Sequence, residues 1–542
     1  MLEMMRAEEE KAEMTRSWMK RRSESIFRCQ RRSCTLLAAG IWAAFSMASA
    51  FAQSAAPAAS CESLAKLALP QATLTMAQKV AAGELKLPED PNIPTHPAWN
   101  TNPAFCRVAA TLKPSADSDI KIEVWLPMSG WNGKFLGVGN SGWAGNIVYD
   151  GLLEGVQSGY ATGSTDNGHE ADGAPLGSFV AGHPEKLIDH GNRSVHGMTV
   201  DAKAIVKAFY GVAPKYSLFT GCSLGGMQAL QEASRYPADY EGIVAGAPAN
   251  PITLLNATML WPIWLIMQNP ARSIPDAKYT MIHDAALKAC AGSIGRKQGF
   301  IEEPDRCHFD PATLLCKGAD GPDCLTAPQV DLMKQIYAGP VNPRTKESIY
   351  IGVAPGGELQ LPLFAGAQPF DNALGLYKYA VFQDPKWDAK SMDFDTAIER
   401  AKKDVDPVVR AGANLNEYLH RGGKLMIYIG WTDYHNPLAM IDYYKSVLKN
   451  AGDKENPEEA VRLFAIPGMD HCGGGAGCDT FDKLGTIDEW VGTRKAPERI
   501  LASKVADGKT VRTSALCAYP MVARYKGTGD TEKAESFVCA GR

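Results

Sequence analysis

No two of the thirteen cysteines stand three residues apart, and no Cys/His cluster has ligand spacing, so a zinc site is not expected. A basic surplus is missing too. Lys+Arg number 56 against 60 Asp+Glu, a formal charge of −4, which leaves nothing to neutralise phosphates and argues against nucleic acid as a partner. No apolar run reaches the ~20 residues that a membrane span needs. Repeats are absent, and low complexity is confined to a short Ala/Ser stretch near residue 53. What remains is an ordinary globular composition, 45% hydrophobic and 21% charged, over 542 residues, enough chain for two to four domains.

The amino terminus has the composition of an address. "KRRSESIFRCQRR" is a basic region, "TLLAAGIWAAFSMASAFA" an apolar one, and Ala50-Phe51-Ala52 a cleavage site of small residues. Residues 1–52 are therefore expected to be removed, leaving a periplasmic or secreted protein with no membrane anchor and a charge of about −7. Cys29 and Cys34 leave with that segment. Eleven cysteines remain, an odd number, and in an oxidising compartment most should pair. Close spacing makes Cys290/Cys307, Cys316/Cys324 and Cys517/Cys539 local candidates, with Cys61/Cys106 at the start of the mature chain; spacing alone assigns no connectivity.

From Ile120 to Val138 two strand-like runs flank a turn, and "GYATGSTDNGH" reads as a short strand entering a polar loop. A helical period in "HGMTVDAKAIVKAFYG" precedes the strand "KYSLFTG", the helix "GGMQALQEASRYP" and the strand "YEGIVAGAP". Strands alternating with helices at this pitch imply βαβ units and a parallel sheet. The rhythm stops after Pro251 and resumes with the buried strand "KLMIYIGWTD" and the strand "VRLFAIPG". The expectation is one α/β domain, 53–251 and 416–542, interrupted by a lid over 252–415.

Gly221-Cys222-Ser223-Leu224-Gly225 matches G-x-S-x-G, with an apolar strand running into it and an amphipathic helix leaving it. Glycines on both sides allow the sharp turn that lifts a serine hydroxyl clear of a sheet. A serine hydroxyl needs a base held by an acid. Asp433 follows the strand "KLMIYIG" and His471 follows "VRLFAIPGMD", giving the order Ser, Asp, His. His435, Asp442 and Asp470 compete; His435 shares a loop with Asp433 and is better placed as a pocket wall. Ser223 and His471 each have a cysteine beside them, Cys222 and Cys472. A disulfide between these would tie the nucleophile turn to the base loop and leave Cys478 as the odd thiol. The N–H of Leu224, at the start of the helix, is the first candidate oxyanion donor.

These residues, together with "WNGKFLGVGNSG", "STDNGHE", "YEGIVAGAPA", "IPGMDHCGGG" and "YPMVARYKGTGD", resemble the tannase/feruloyl esterase family, which includes enzymes that hydrolyse mono(2-hydroxyethyl) terephthalate. The resemblance implies an α/β-hydrolase core with a large lid and hydrolysis of esters of aromatic acids, with no organic cofactor. It also implies that Gly139 supplies the second oxyanion donor. Substrate choice falls to the lid, where Trp261, Trp264, Tyr377, Tyr379, Phe382 and Trp387 offer aromatic faces. No arginine occurs between Arg344 and Arg400, which favours feruloyl or galloyl esters over a terephthalate half-ester, although Lys378 lies in that span. A hydrolase-fold protein that binds without catalysing is the alternative from another class.

Members of this family commonly hold calcium in an acidic lid loop between paired cysteines. The matching segment, "AGSIGRKQGFIEEPDR", has Ala291, Ile294, Arg296, Lys297 and Gln298 at its early and middle positions, and acids only at Glu302, Glu303 and Asp305. The expectation is that the metal site is lost and that Arg296 or Lys297 pairs with the late acids.

Overall fold

The computed structural model describes residues 57–87, 100–170, 173–452 and 456–542. The expected leader and its cleavage site lie outside the described residues. Nine strands form the central sheet: β1 (Ala72–Val80), β2 (Phe105–Leu112), β3 (Ile120–Pro127), β4 (Lys134–Val138), β5 (Ala161–Thr165), β6 (Tyr216–Cys222), β7 (Gly242–Gly246), β8 (Lys424–Gly430) and β9 (Val461–Ile466). Their spatial order is β1-β2-β3-β5-β4-β6-β7-β8-β9. Pairing is antiparallel from β1 through β3 to β5 and parallel from β5 to β9.

Parallel strands need crossovers, and the crossovers cover both faces of the sheet. The helices α1 (Tyr149–Gln157), α2 (Ser194–Tyr210) and α3 (Leu224–Arg235) make the first three. Every residue of β5 and β7 is accordingly buried, which is why these strands read as unbroken apolar or small-residue runs rather than alternating ones.

The crossover from β7 to β8 is the lid. It opens with α4 (Ile252–Gln268) and continues through α5 (Asp276–Cys290), α6 (Ala327–Ala338) and α7 (Phe394–Arg400). These helices enclose a core of their own, with Trp261, Tyr279, Leu332, Tyr377 and Phe394 at its centre, and that core also takes in Leu224 and Met227 of α3. The lid thus sits directly on the start of the helix that follows Ser223. After β8, α8 (Pro437–Lys449) returns the chain to β9. The carboxyl-terminal part adds a three-stranded sheet, β10 (Thr480–Phe481), β11 (Arg499–Ala506) and β12 (Lys509–Cys517), and then a two-stranded one, β13 (Val522–Tyr525) and β14 (Phe537–Ala540).

Five disulfides join cysteines among the described residues: Cys61–Cys106, Cys222–Cys472, Cys290–Cys307, Cys316–Cys324 and Cys517–Cys539. Cys478 is free and buried.

Candidate active site

Between β6 and α3, Ser223 adopts φ 66° and ψ −118°, a conformation that L-residues avoid unless the surroundings impose it. The glycines explain how. A Cβ on Gly221 would lie 2.5 Å from the Gly225 carbonyl carbon, one on Gly225 2.8 Å from Asn140 O, and one on Gly226 2.1 Å from Gly246 O. Only hydrogen fits at each position, so the motif's glycines allow β6, α3 and the neighbouring loops to close around the turn. The Ser223 N–H donates to Gly246 O at 3.0 Å. Among the described residues the Leu224 N–H and the Ser223 hydroxyl donate to no protein acceptor.

Asp433 stands just past β8 and is buried. Its Oδ1 accepts from the His435 N–H at 2.7 Å and from His471 Nδ1 at 2.9 Å. A carboxylate can only accept, so Nδ1 of His471 carries a proton, and in the neutral ring Nε2 keeps its lone pair. Cys472, at φ 62°, turns the chain beside it, and its Sγ lies 3.7 Å from that Nε2. The Cys222–Cys472 bridge, with 5.9 Å between Cα atoms, holds the Ser223 turn and the His471 loop together across 250 residues of sequence.

His435 donates from Nδ1 to Ala247 O at 2.8 Å and lies 4.1 Å from the His471 ring. Burial, and then the neighbouring His471, push its pKa down to about 3, so this ring is a neutral wall. Asp470 accepts instead from Thr432 Oγ1 at 2.6 Å, and Asp442 is exposed beside Lys445. Among the described residues, two groups of side chains come close enough to suggest a metal. In Cys316, Asp320 and Cys324 the thiols are consumed by a disulfide, and in Asp433, His435 and His471 the shared Oδ1 already holds the other two residues.

A narrow cleft opens beside Ser223. Gly142, Trp143, His190, Leu224, Asn256, Met259, Phe370, Asn372, Tyr434 and His435 are among its lining residues. Of the substrate-binding residues expected from sequence, only His435 is there. Trp261 stacks on Trp264 at 5.3 Å and meets Phe394 at 5.0 Å inside the lid; Tyr377 is buried and its hydroxyl donates to Thr253 O at 2.9 Å. Phe382 lies against Trp387 at 4.9 Å, under the Arg400 guanidinium. None of the four lines the cleft: Trp261 and Tyr377 are buried in the lid core, and Trp264 and Phe382, half-buried, pack against it.

Gly139 is also corrected. Its N–H donates to Thr220 O at 2.9 Å, extending the β4–β6 ladder, and a group used that way is not free to receive an oxyanion. Gly142, three residues on at φ 50°, lines the cleft, and its N–H has no protein acceptor among the described residues.

The family model for tannase and feruloyl esterase matches residues 106–540. The chain belongs to this family. An uncharacterized esterase of Xanthomonas campestris pv. campestris is 36% identical over 536 residues, covering 90% of this chain and 92% of that one. A probable feruloyl esterase B of Emericella nidulans is 32% identical over 509 residues, covering 88% and 94%. The crystal structure of feruloyl esterase B from Aspergillus oryzae superposes with a TM-score of 0.81 at 28% identity, covering 89% of this chain and 99% of that one. The fold is that of the α/β-hydrolases and the chain is a carboxylic ester hydrolase.

In this member of the tannase and feruloyl esterase family the acids of the lid loop between Cys290 and Cys307 are engaged by the protein itself. Glu302 accepts from the N–H groups of Gly292 at 3.0 Å and Gly295 at 2.9 Å. Glu303 pairs with Arg524 at 2.7 Å, and Asp305 pairs with Arg542. The expectation that Arg296 or Lys297 would take this role is wrong. Lys297 reaches Glu532 at 3.2 Å instead, because the strands after β12 bring two arginines over the acids.

Proposed function

We propose that this enzyme is an exported serine esterase for esters of aromatic carboxylic acids, of the feruloyl or galloyl kind. The observation that carries the proposal is the 2.9 Å contact between His471 and Asp433, bridged through Cys472 to the left-handed Ser223 turn. Ser223 Oγ attacks the ester carbonyl while His471 Nε2 takes its proton, a hydrogen bond that forms as substrate binds. Asp433 fixes the tautomer and stabilises the imidazolium. The N–H groups of Leu224 and Gly142 receive the oxyanion, His471 protonates the departing alcohol, and water, deprotonated in turn by His471, releases the acid.

The cleft supports a flat, uncharged acyl group. Trp143, Phe370 and Tyr434 line it, and no Lys or Arg does, whereas a terephthalate half-ester carries a carboxylate that calls for one. Lys378 lies over the Tyr379 ring. Five disulfides fit an oxidising compartment, the periplasm or the exterior. No helix among the described residues is long and apolar enough to cross a membrane.

The test is a rate panel of methyl ferulate, methyl gallate, mono(2-hydroxyethyl) terephthalate and p-nitrophenyl esters. The methyl esters of phenolic acids should lead. Ser223→Ala, His471→Ala and Asp433→Ala should each lower kcat about a thousandfold or more, with double variants hardly worse than singles. A Ser223→Ala enzyme that keeps most of its activity sinks the proposal, and so does a covalent serine probe that labels another residue.

A further inference from the structure

One polar side chain in the cleft has no part in this chemistry. His190 sits in a single wide turn, Asp189–Arg193, that interrupts the helical run from Pro184 to Tyr210. One extra residue rotates the remainder of a helix by about 100°, enough to move a side chain from one face to another. The turn leaves His190 lining the cleft beside Ser223. The residue is 2% exposed, and its ring stacks on Trp143 at 4.8 Å and meets Phe179 edge-on at 5.5 Å.

The ring nitrogens differ. Nδ1 is sealed from water without a hydrogen-bond partner among the described residues, which leaves Nε2 to face the cleft. A sealed lone pair is tolerated better than a sealed N–H, so the proton belongs on Nε2. Burial, reinforced by nearby His169, keeps the ring far below the usual imidazole pKa, so it is an uncharged donor. Asn372 adds a second idle group. Its carbonyl accepts from Trp143 Nε1 at 3.2 Å, while its side-chain amide lies beside Gly142 and makes no hydrogen bond among the described residues. The stack and this hydrogen bond fix both groups to the same tryptophan.

An uncharged donor and an amide between aromatic walls suit a neutral oxygen on a flat ring. They do not suit a carboxylate, whose charge would stay uncompensated. We propose that His190 Nε2–H, together with the Asn372 amide, binds the hydroxyl or methoxyl oxygens on the ring of the substrate's acid and so sets selectivity for oxygenated over bare rings. This rests on the aromatic-ester reading above.

The experiment compares kcat/KM for methyl ferulate, methyl cinnamate and methyl 3,4-dimethoxycinnamate in the wild type, His190→Phe and His190→Gln. Phenylalanine keeps the stack on Trp143 and removes the donor; glutamine returns an amide donor at a similar reach. Ferulate should exceed cinnamate about tenfold or more in the wild type, the ratio one hydrogen bond gives. That ratio should collapse in His190→Phe and recover in His190→Gln. It should also stay flat from about pH 6 to 8, since a buried neutral imidazole does not titrate there. A loss confined to ferulate assigns the hydroxyl, and a loss shared with the dimethoxy ester assigns the methoxyl. A ratio unmoved in His190→Phe overturns the inference, whether activity persists or falls equally on both esters, and so does a wild-type ratio near one. If those esters are cleaved in a Ser223-dependent way, only this inference fails; if none is cleaved, the esterase reading fails first.

Discussion

Beneath Ser223 the molecule is built from residues with almost no side chain, and above it from the largest ones. In the turn, Gly221, Gly225 and Gly226 stand where a single Cβ would overlap backbone atoms. In the lid, Trp261, Trp264 and Phe394 pack on one another at 5.0 to 5.3 Å. The turn has one solution, since each neighbour is backbone and cannot move aside. The lid has many, since an aromatic ring satisfies its burial against whichever surface it meets. Position is therefore dictated residue by residue in the turn, while the lid's residues declare bulk without declaring direction.

The largest effect that would break this contrast lies at the bridge. Replacing Cys222 and Cys472 together by alanine frees the turn from the base loop, and a misplacement of about 1 Å costs roughly a hundredfold in rate. The expected outcome is a drop of that size in kcat, with near-native circular dichroism below the melting transition. A double variant as fast as the wild type would show that the sheet alone positions the pair.

Next comes a paired test in the lid. Trp261→Ala should destabilise by about 3–5 kcal/mol, as truncation of a buried tryptophan does, with KM little changed. Phe370→Ala, on the cleft wall, should raise KM severalfold and lower Tm less. Reversed results would exchange the roles of the two aromatics.

A smaller effect separates the two histidines beside Asp433. His435 is neutral when folded, with its pKa pushed down to about 3 by burial and by His471, whereas an unfolded histidine titrates near 6.5. The unfolded state thus binds more protons, and stability falls as pH drops from about 6.5 toward 3. His435→Asn should lose less Tm than the wild type between pH 7 and 4. Parallel curves would remove His435 from the acid response.

The smallest expected effect is none. Melting curves with calcium and with chelator should coincide, because Glu302, Glu303 and Asp305 are already engaged by backbone donors and by Arg524 and Arg542. A rise of several degrees with calcium would show that the ion outcompetes the arginines.

The core is legible in the sequence where local pattern dictates structure. Strand, glycine turn and helix around Ser223 are contiguous, and Asp433 and His471 each follow a buried strand by a few residues. The paired cysteines beside Ser223 and His471 report a contact 250 residues apart. Sequence misplaces Gly139 because a ladder hydrogen bond to Thr220 depends on where β4 ends, and strand ends are set by the neighbouring strand. It misplaces Trp261 because that ring's partners, the Gln335 carbonyl and Phe394, are far along the chain. His190 stays hidden because the wide turn over Asp189–Arg193 is a matter of backbone hydrogen bonding that no residue in the segment announces. Trp143 carries a usable signal, four residues after Gly139 in the same loop. Phe370 and Tyr434 carry none that distinguishes them from the other aromatics of the chain.

The lid enters after β7 and leaves before β8, entirely within the 250-residue ring closed by Cys222 and Cys472. Loop closure grows only with the logarithm of length, so doubling such a ring adds about 0.6 kcal/mol. A change in lid length therefore adds little to the cost of closing that ring, and it is felt at the Ser223 turn through the lid side chains packed on Leu224 and Met227. A lid of another length would close the same ring at nearly the same cost, with the Ser223 turn and the His471 loop still tied together. The bond that looks like a local brace works at that longer scale as a partition between the part of the gene free to diversify and the part that is not.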